Sequence, residues 1–178
     1  AWVINSGRGL DNLIRGLGEG GVFALPDFIV ANEYEIYRPG VAGGWGAFGP
    51  WNKQVDRDQR SFSRQHQRPL SRFQGWIRSS AQADMLQDER GNWGIVAETI
   101  DEMSRICDEL QSLQAEHPDL GYQRNGRHLR FSHSAYNKGN ALAELGRLLG
   151  IEADRIFAAG DNHNDLPMLS PEIARFRA

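Results

Sequence analysis

The chain has 178 residues, of which 40% are hydrophobic, so it is long enough to bury the core of one large or two small globular domains. Its 20 basic and 23 acidic side chains give a formal net charge of -3, which argues against a generally basic nucleic-acid-binding protein. No apolar run approaches the roughly 18 residues that span a bilayer, and no charged segment precedes an apolar leader. We therefore expect a soluble, cytoplasmic protein with no membrane partner.

The first part of the chain shows two apolar segments on either side of a helical pattern. Residues 2–5 and 28–31 are typical of short buried strands. The apolar stripe of the helix between them consists of Leu10, Leu13, Ile14 and Leu17. A strand, a helix and a strand joined by short connections predict a parallel α/β sheet.

From about residue 33 the pattern changes to one that is typical of an antiparallel-rich α+β module. Residues 34–37 alternate like a half-exposed strand, and residues 40–50 form a glycine-rich loop. The further predicted elements are a strand at 93–97, an amphipathic helix that ends before Pro118, and a hairpin of 121–124 and 128–132 joined at Asn125-Gly126. Cys107, the single cysteine, lies in the apolar stripe of that helix, where we expect an inert core thiol.

The α/β pattern returns at the end of the chain. Residues 140–149 form a helix with one apolar face, and residues 155–159 form a buried strand. We therefore predict an α/β core made of residues 1–32 and 132–178, interrupted by an inserted α+β domain at residues 33–131.

Two short motifs follow predicted strands, where an open parallel sheet binds its ligands. In Asn5-Ser6-Gly7-Arg8, the Ser6 hydroxyl and the backbone N–H groups of Gly7 and Arg8 could hold a phosphate, although the same pattern is typical of an ordinary helix N-cap. Lys138, one of two lysines in the chain, directly precedes a helix, so either it aims an ammonium at the site or it is a surface lysine.

The third motif, residues 160–165 with the sequence GDNHND, follows the last apolar strand. Its carboxylates, Asp161 and Asp165, are four residues apart with amides between them, and such oxygen ligands suit Mg²⁺, which takes few protein carboxylates and keeps its waters. The alternative is a solvated turn. His163, in the same loop, either contacts a substrate or faces solvent.

With all three motifs in this order, the chain resembles the haloacid dehalogenase (HAD) superfamily of phosphohydrolases, and within it the Cof-like and sucrose-phosphatase-like group. Ser6 matches the second motif of the family, Lys138 the third, and Asp161 with Asp165 the fourth. Residues 26–37 are also similar to the segment that leads from core to cap in that group. The resemblance implies an α/β, Rossmann-like parallel-sheet core with an inserted α+β type-2 cap.

The resemblance also implies a mechanism. In such enzymes one aspartate attacks the phosphoryl group and a second protonates the leaving alcohol, while Mg²⁺ and a lysine neutralise charge. Asp161 would bind the metal, Asp165 would support the metal or orient Lys138, and Asn164 would assist the phosphate or metal shell. Ser6 and Gly7 would bind phosphate, with Arg8 and His163 as further substrate contacts.

The implied activity is Mg²⁺-dependent hydrolysis of a small phosphorylated metabolite, such as a sugar phosphate. A large cap would exclude water and macromolecular substrates, including nucleic acid. The same scaffold supports phosphomutases, so transfer in place of hydrolysis is an alternative.

One part of the family pattern is absent. The first motif, DxDGT, does not occur, and the only Asp-x-Asp is the polar Asp56-Arg57-Asp58. We therefore expect these residues to be part of a longer protein that supplies the nucleophile, and we expect the chain alone to be inactive. The rival hypothesis is a catalytically inactive HAD-like module that binds a phosphorylated ligand or a partner.

Arginines recur at helical spacing in the predicted inserted domain. They are Arg57, Arg60, Arg64, Arg68 and Arg72. Such a face is either simply solvated, or recruits an anionic substrate, or binds RNA.

Overall fold

The computed structural model describes residues 1–22, 24–41, 43–88 and 91–178. The strands are β1 (Val3–Asn5), β2 (Phe28–Ala31), β3 (Glu35–Pro39), β4 (Trp45–Ala47), β5 (Ala83–Gln87), β6 (Trp93–Ala97), β7 (Leu120–Asn125), β8 (His128–His133), β9 (Phe157–Ala158) and β10 (Phe176–Arg177). The α-helices are α1 (Leu10–Glu19), α2 (Trp51–Ser80), α3 (Ile100–Glu116) and α4 (Lys138–Leu149), and two 3-10 helices span Ala153–Arg155 and His163–Leu169.

The chain divides into two compact units. Unit 1 comprises Ala1–Asp56, Tyr136–Asp161 and Asp165–Ala178. Unit 2 comprises Arg57–Ala135 together with Asn162–Asn164. The division after residue 56 lies later than the boundary at residue 33 that we expected from the sequence.

The main sheet of unit 1 has the order β1-β2-β3-β4. β1 and β2 are parallel, with Val3 opposite Phe28, as the strand-helix-strand pattern predicts. β3 and β4 then continue the same sheet in antiparallel fashion. Residues 33–56 therefore lie in unit 1, because β3 pairs with β2 immediately after a tight turn and buries Ile36 completely.

Other strand edges in unit 1 are open within the described part of the chain. β1 is the edge strand of the main sheet, and β9 pairs only with β10, in parallel. The apolar side chains of this unit form small clusters against α1 and α4. One of them consists of Val30, Ile36, Ala141 and Leu145.

Unit 2 contains the antiparallel sheet β5-β6-β8-β7, with the hairpin β7-β8 where Asn125-Gly126 predicts it. Its core is a single large apolar cluster from the sheet and from the helices α2 and α3. The largest side chains in it that are less than 2% exposed are Leu70, Ile77, Ile95, Met103, Ile106, Leu110 and Leu120. The predicted antiparallel α+β character of this region is confirmed.

Three features of residues 40–90 differ from expectation or were not predicted. β4 lies within the segment that we expected to be a loop, and β5 carries no clear sequence signal. α2 continues through Pro69, although proline removes one backbone donor, so residues 51–80 form one long helix. All five arginines of the predicted face are exposed on it.

Within the described residues, no helix is both long and apolar enough to cross a membrane.

The thiol of Cys107 is 9% exposed within the core of unit 2. Burial raises the pKa of this thiol, because a thiolate loses more hydration than a thiol does in apolar surroundings. The expectation of a buried core cysteine is confirmed, and the raised pKa disfavours the reactive thiolate.

Candidate active site

The motif of Lys138 and the GDNHND motif of residues 160–165 meet through a buried ion pair. Lys138 is the first residue of α4, whose N-terminus is capped by the Asn137 side chain, which accepts a 2.9 Å hydrogen bond from the Asn140 N–H. The Lys138 Nζ donates to Asp165 Oδ1 at 2.6 Å, and the two residues are only 6% and 4% exposed. The interpretation of Lys138 as a surface lysine is therefore wrong.

Two glycines make this close approach possible. A Cβ added at Gly160 would lie 2.4 Å from the Cβ of Asp165. At Gly139 it would lie 2.5 Å from the carbonyl oxygen of Pro167. A side chain at Gly160 would clash with Asp165 within the 160–169 loop, and one at Gly139 would push α4 away from that loop.

The second oxygen of Asp165 also has a partner. The Asp161 N–H donates to Asp165 Oδ2 at 3.1 Å, so Asp165 holds its own loop closed while it orients the lysine. Of the two roles that the resemblance implies for Asp165, this geometry favours the orientation of Lys138.

The Asn5-Ser6-Gly7-Arg8 motif forms a tight turn after β1. The Ser6 N–H donates to the Val30 carbonyl at 2.9 Å, and the Arg8 N–H donates to the Ser6 Oγ at 3.2 Å. The N-cap of α1 is Gly9, and no side chain caps it, so the alternative interpretation of Ser6 as an ordinary N-cap is wrong. With Oγ accepting from Arg8, the Ser6 hydroxyl hydrogen can be donated to a ligand.

Asn5 links its own motif to that of Lys138 by a hydrogen bond. Its Nδ2 donates to the Lys138 carbonyl at 3.0 Å, and the same group lies 3.8 Å from the Met168 sulfur. The carboxyl end of β1, the N-terminus of α4 and the 160–169 loop are thereby held together. Asn5 is part of its motif, but the sequence analysis gave its side chain no role.

Glu33 is a further charged residue that sequence reasoning missed. It is 6% exposed, and its Oε2 lies 3.9 Å from the Lys138 Nζ. Its only sequence signal is the position two residues after a buried strand, at the same edge of the sheet as Ser6.

The family model of haloacid dehalogenase-like hydrolases matches residues 63–171, more than half of the chain. The chain belongs to this family. The resemblance that the three motifs indicate is thereby confirmed, and the last two motifs lie within the matched residues.

Solved structures show the same fold. The chain matches the sucrose-phosphatase of Synechocystis sp. PCC6803 over 98% of its own length and 67% of the other chain, with a TM-score of 0.68 and 17% identity. It matches an IMP-nucleotidase of Plasmodium falciparum over 98% of its own length and 54% of that chain, with a TM-score of 0.64 and 13% identity. Among curated proteins, the putative phosphatase YxeH of Bacillus subtilis (strain 168) is 51% identical over 37 residues, which are 21% of this chain and 14% of YxeH. The chain therefore spans only part of the length of its relatives.

The remaining candidate residues differ in exposure. Asp161, His163 and Arg8 are exposed, whereas Asn164 is only 4% exposed. The Arg8 guanidinium lies over α1, where its Nη1 is 3.0 Å from the position that a Cβ would take at Gly16. The Arg8 side chain thus packs on its own helix.

The oxygen ligands of the last motif fit a magnesium ion held by few protein groups. Asp161 presents an exposed side chain in the loop after β9, and its backbone N–H donates to the buried carboxylate of Asp165. Among the described residues, no group of three or more His, Cys, Asp or Glu side chains could form a cage around a metal. A hydrated Mg²⁺ binds through one or two carboxylates, and the carboxylate and amide oxygens of this loop are donors of the kind that it takes.

Proposed function

We propose that the full-length protein is a Mg²⁺-dependent phosphatase that hydrolyses a small phosphorylated metabolite, with sugar phosphates as the substrate class. The observation that carries the proposal is the buried Lys138 ammonium, which donates a hydrogen bond to the buried carboxylate of Asp165 and is held in place by it. A lysine buried at such cost to its hydration is typical of a site that must neutralise an anion. Family membership and the fold of the sucrose-phosphatase relative support the choice of phosphate esters.

The residues of this chain would hold the transferring phosphoryl group. The Lys138 ammonium has three N–H donors, of which Asp165 takes one, so the others can be donated to phosphoryl oxygens. The Ser6 hydroxyl and the Gly7 N–H would bind a further oxygen. These donors stabilise the charge that spreads over the phosphoryl oxygens in the transition state.

The acidic loop would provide the metal ligands. Asp161 would hold the ion directly, with Asp165 and Asn164 supporting the metal or phosphate shell. When bound, Mg²⁺ supplies positive charge that offsets the phosphoryl oxygens. His163 and Arg8 would contact the rest of the substrate.

The proposal requires an attacking aspartate that these 178 residues do not contain, since DxDGT is absent from them. The open edges of β1 and β9 support this requirement, because the main-chain groups of an edge strand can pair with a further strand.

The test uses full-length protein and a panel of sugar phosphates, with release of orthophosphate measured with and without Mg²⁺. We expect activity only with Mg²⁺, and a loss of about 100-fold or more in kcat for Asp161→Ala and Lys138→Ala. The control is Lys53→Ala, since Lys53 is the other lysine of the chain and is exposed on α2. Retained activity in Asp161→Ala and Lys138→Ala would refute the site assignment.

The same assay separates the rival functions. An inactive full-length protein that still binds phosphorylated ligands would favour the binding module. Conversion of one sugar phosphate to its isomer without release of orthophosphate would favour a phosphomutase.

A further inference from the structure

The turn between β2 and β3 has an unusual backbone. Asn32 and Glu33 adopt left-handed conformations, with φ of 53° and 78°, and in the described chain they are the non-glycine residues with positive φ. Asparagine tolerates this region, but a glutamate there is strained. Elsewhere in the described chain glycine takes such positions, for example Gly43 and Gly126.

Backbone hydrogen bonds hold this turn against the Asn5-Ser6-Gly7-Arg8 motif. The Glu33 N–H donates to the Ser6 carbonyl at 3.0 Å, and the Asn32 N–H donates to the Arg8 carbonyl at 2.9 Å. These bonds need no side chain at residue 33, so glycine would make the same turn without strain. The backbone therefore does not explain why glutamate occupies the position.

Burial adds a second cost at the same residue. Glu33 is 6% exposed, and a buried carboxylate is stable only beside compensating charge. Its Oε2 lies 3.9 Å from the Lys138 Nζ, beyond hydrogen-bond distance, while Asp165 takes the direct bond at 2.6 Å. One buried ammonium thus has two buried carboxylates near it, Asp165 at hydrogen-bond distance and Glu33 at 3.9 Å.

We propose that Glu33 is a positioning residue that acts through Lys138 and limits how strongly the site holds a phosphate anion. The inference rests on the proposed function, in which Lys138 binds phosphoryl oxygens. A carboxylate this close to the ammonium offsets part of its positive charge, so that orthophosphate, the product, is released more readily. Backbone strain is commonly kept where it serves function, and residue 33 carries both strain and buried charge.

The test is binding of orthophosphate to full-length protein in the presence of Mg²⁺, measured by calorimetry for the wild type, Glu33→Gln and Glu33→Gly. We expect both variants to bind orthophosphate more tightly, by about tenfold, since each removes one nearby negative charge. In steady-state assays kcat should fall while KM also falls, because product release becomes slower. Glu33→Asp, which keeps the charge, should retain most of the wild-type affinity.

Thermal unfolding separates this role from a structural one. Glu33→Gly removes the strain, so we expect a higher unfolding midpoint together with tighter phosphate binding. The matched control is Glu152→Gln, the same change at an exposed carboxylate of unit 1, which should alter neither property. Orthophosphate bound equally by the wild type and Glu33→Gln, or more weakly by the variant, would overturn the inference. If neither protein binds orthophosphate, the proposed function fails as well.

Discussion

The two compact units differ in what they bury. Unit 2 encloses one continuous apolar cluster that includes Leu110, Ile95 and Met103. Unit 1 has only small apolar clusters, yet it buries a lysine and two carboxylates. Apolar packing stabilises a fold without specifying a reaction, whereas buried charges cost hydration and are kept where a site uses them. We infer that the proposed chemistry depends on the buried charges of unit 1, and substitutions in each unit can test this inference.

The largest effect is expected at the buried charges of unit 1. Asp165→Ala leaves the Lys138 ammonium without its hydrogen-bonded carboxylate, and breaking a buried pair in this way costs about 4 kcal/mol of unfolding free energy. Urea unfolding measures this loss. A suitable control is Glu144→Ala, which removes an ion pair with the exposed Arg147 on the same unit and should leave the midpoint unchanged. Equal behaviour of the two variants would mean that the buried pair contributes nothing.

The core of unit 2 should respond almost as strongly, but without a direct effect on chemistry. Leu110 is fully buried, so Leu110→Ala leaves a cavity and is expected to cost about 3 kcal/mol. At a temperature where the variant stays folded, its kcat should be close to the wild-type value. A loss of kcat as large as that of Lys138→Ala would contradict the division of roles between the units.

Glycines in the two units should respond with opposite signs. Gly139→Ala places a Cβ 2.5 Å from the Pro167 carbonyl oxygen, and we expect a loss of about 2 kcal/mol because backbone atoms must move. Gly75→Ala, inside α2, meets nothing within 4 Å, so it should gain up to about 1 kcal/mol from the higher helix propensity of alanine. The difference between the two urea midpoints checks both, and a stabilised Gly139→Ala would show that α4 and the 160–169 loop are not in close contact.

Much of this arrangement could be predicted from the sequence. The resemblance of the motifs to the family implies that Asp165 could orient Lys138, and the structure pairs the two side chains. The hairpin β7-β8 follows from its Asn125-Gly126 signal. These features depend on local patterns, which the sequence displays directly.

Other features could not be predicted, because they depend on contacts between distant residues. Glu33 reaches Lys138 through a left-handed turn that is normally signalled by glycine, and no pattern marks a glutamate for that conformation. β4 has three residues within a glycine-rich segment, and its pairing with β3 decides its structure. The passage of α2 through Pro69 is likewise a tertiary effect, since local propensity favours a break there.

The smallest predicted effect concerns alkaline pH and unit 2. Burial raises the pKa of Tyr122 to about 12, and the neighbouring Cys107 thiol adds to the shift. The folded protein therefore binds the phenolic proton more tightly than the unfolded chain, whose pKa is 10.0. This contribution to stability is complete below the unfolded pKa and is lost as the pH rises through the folded pKa.

Because the ring is only half-buried, we expect the loss from Tyr122 to be at most about 1 kcal/mol near pH 11. Urea midpoints measured from neutral to alkaline pH should therefore decline in the wild type and decline less in Tyr122→Phe, which has no phenol to ionise. The Cys107 thiol, whose pKa burial also raises, titrates in both proteins, so some decline should remain in the variant. Identical pH profiles for the two proteins would show that Tyr122 ionises as easily in the folded state as in the unfolded chain, and that the apolar interior of unit 2 does not extend to its hydroxyl.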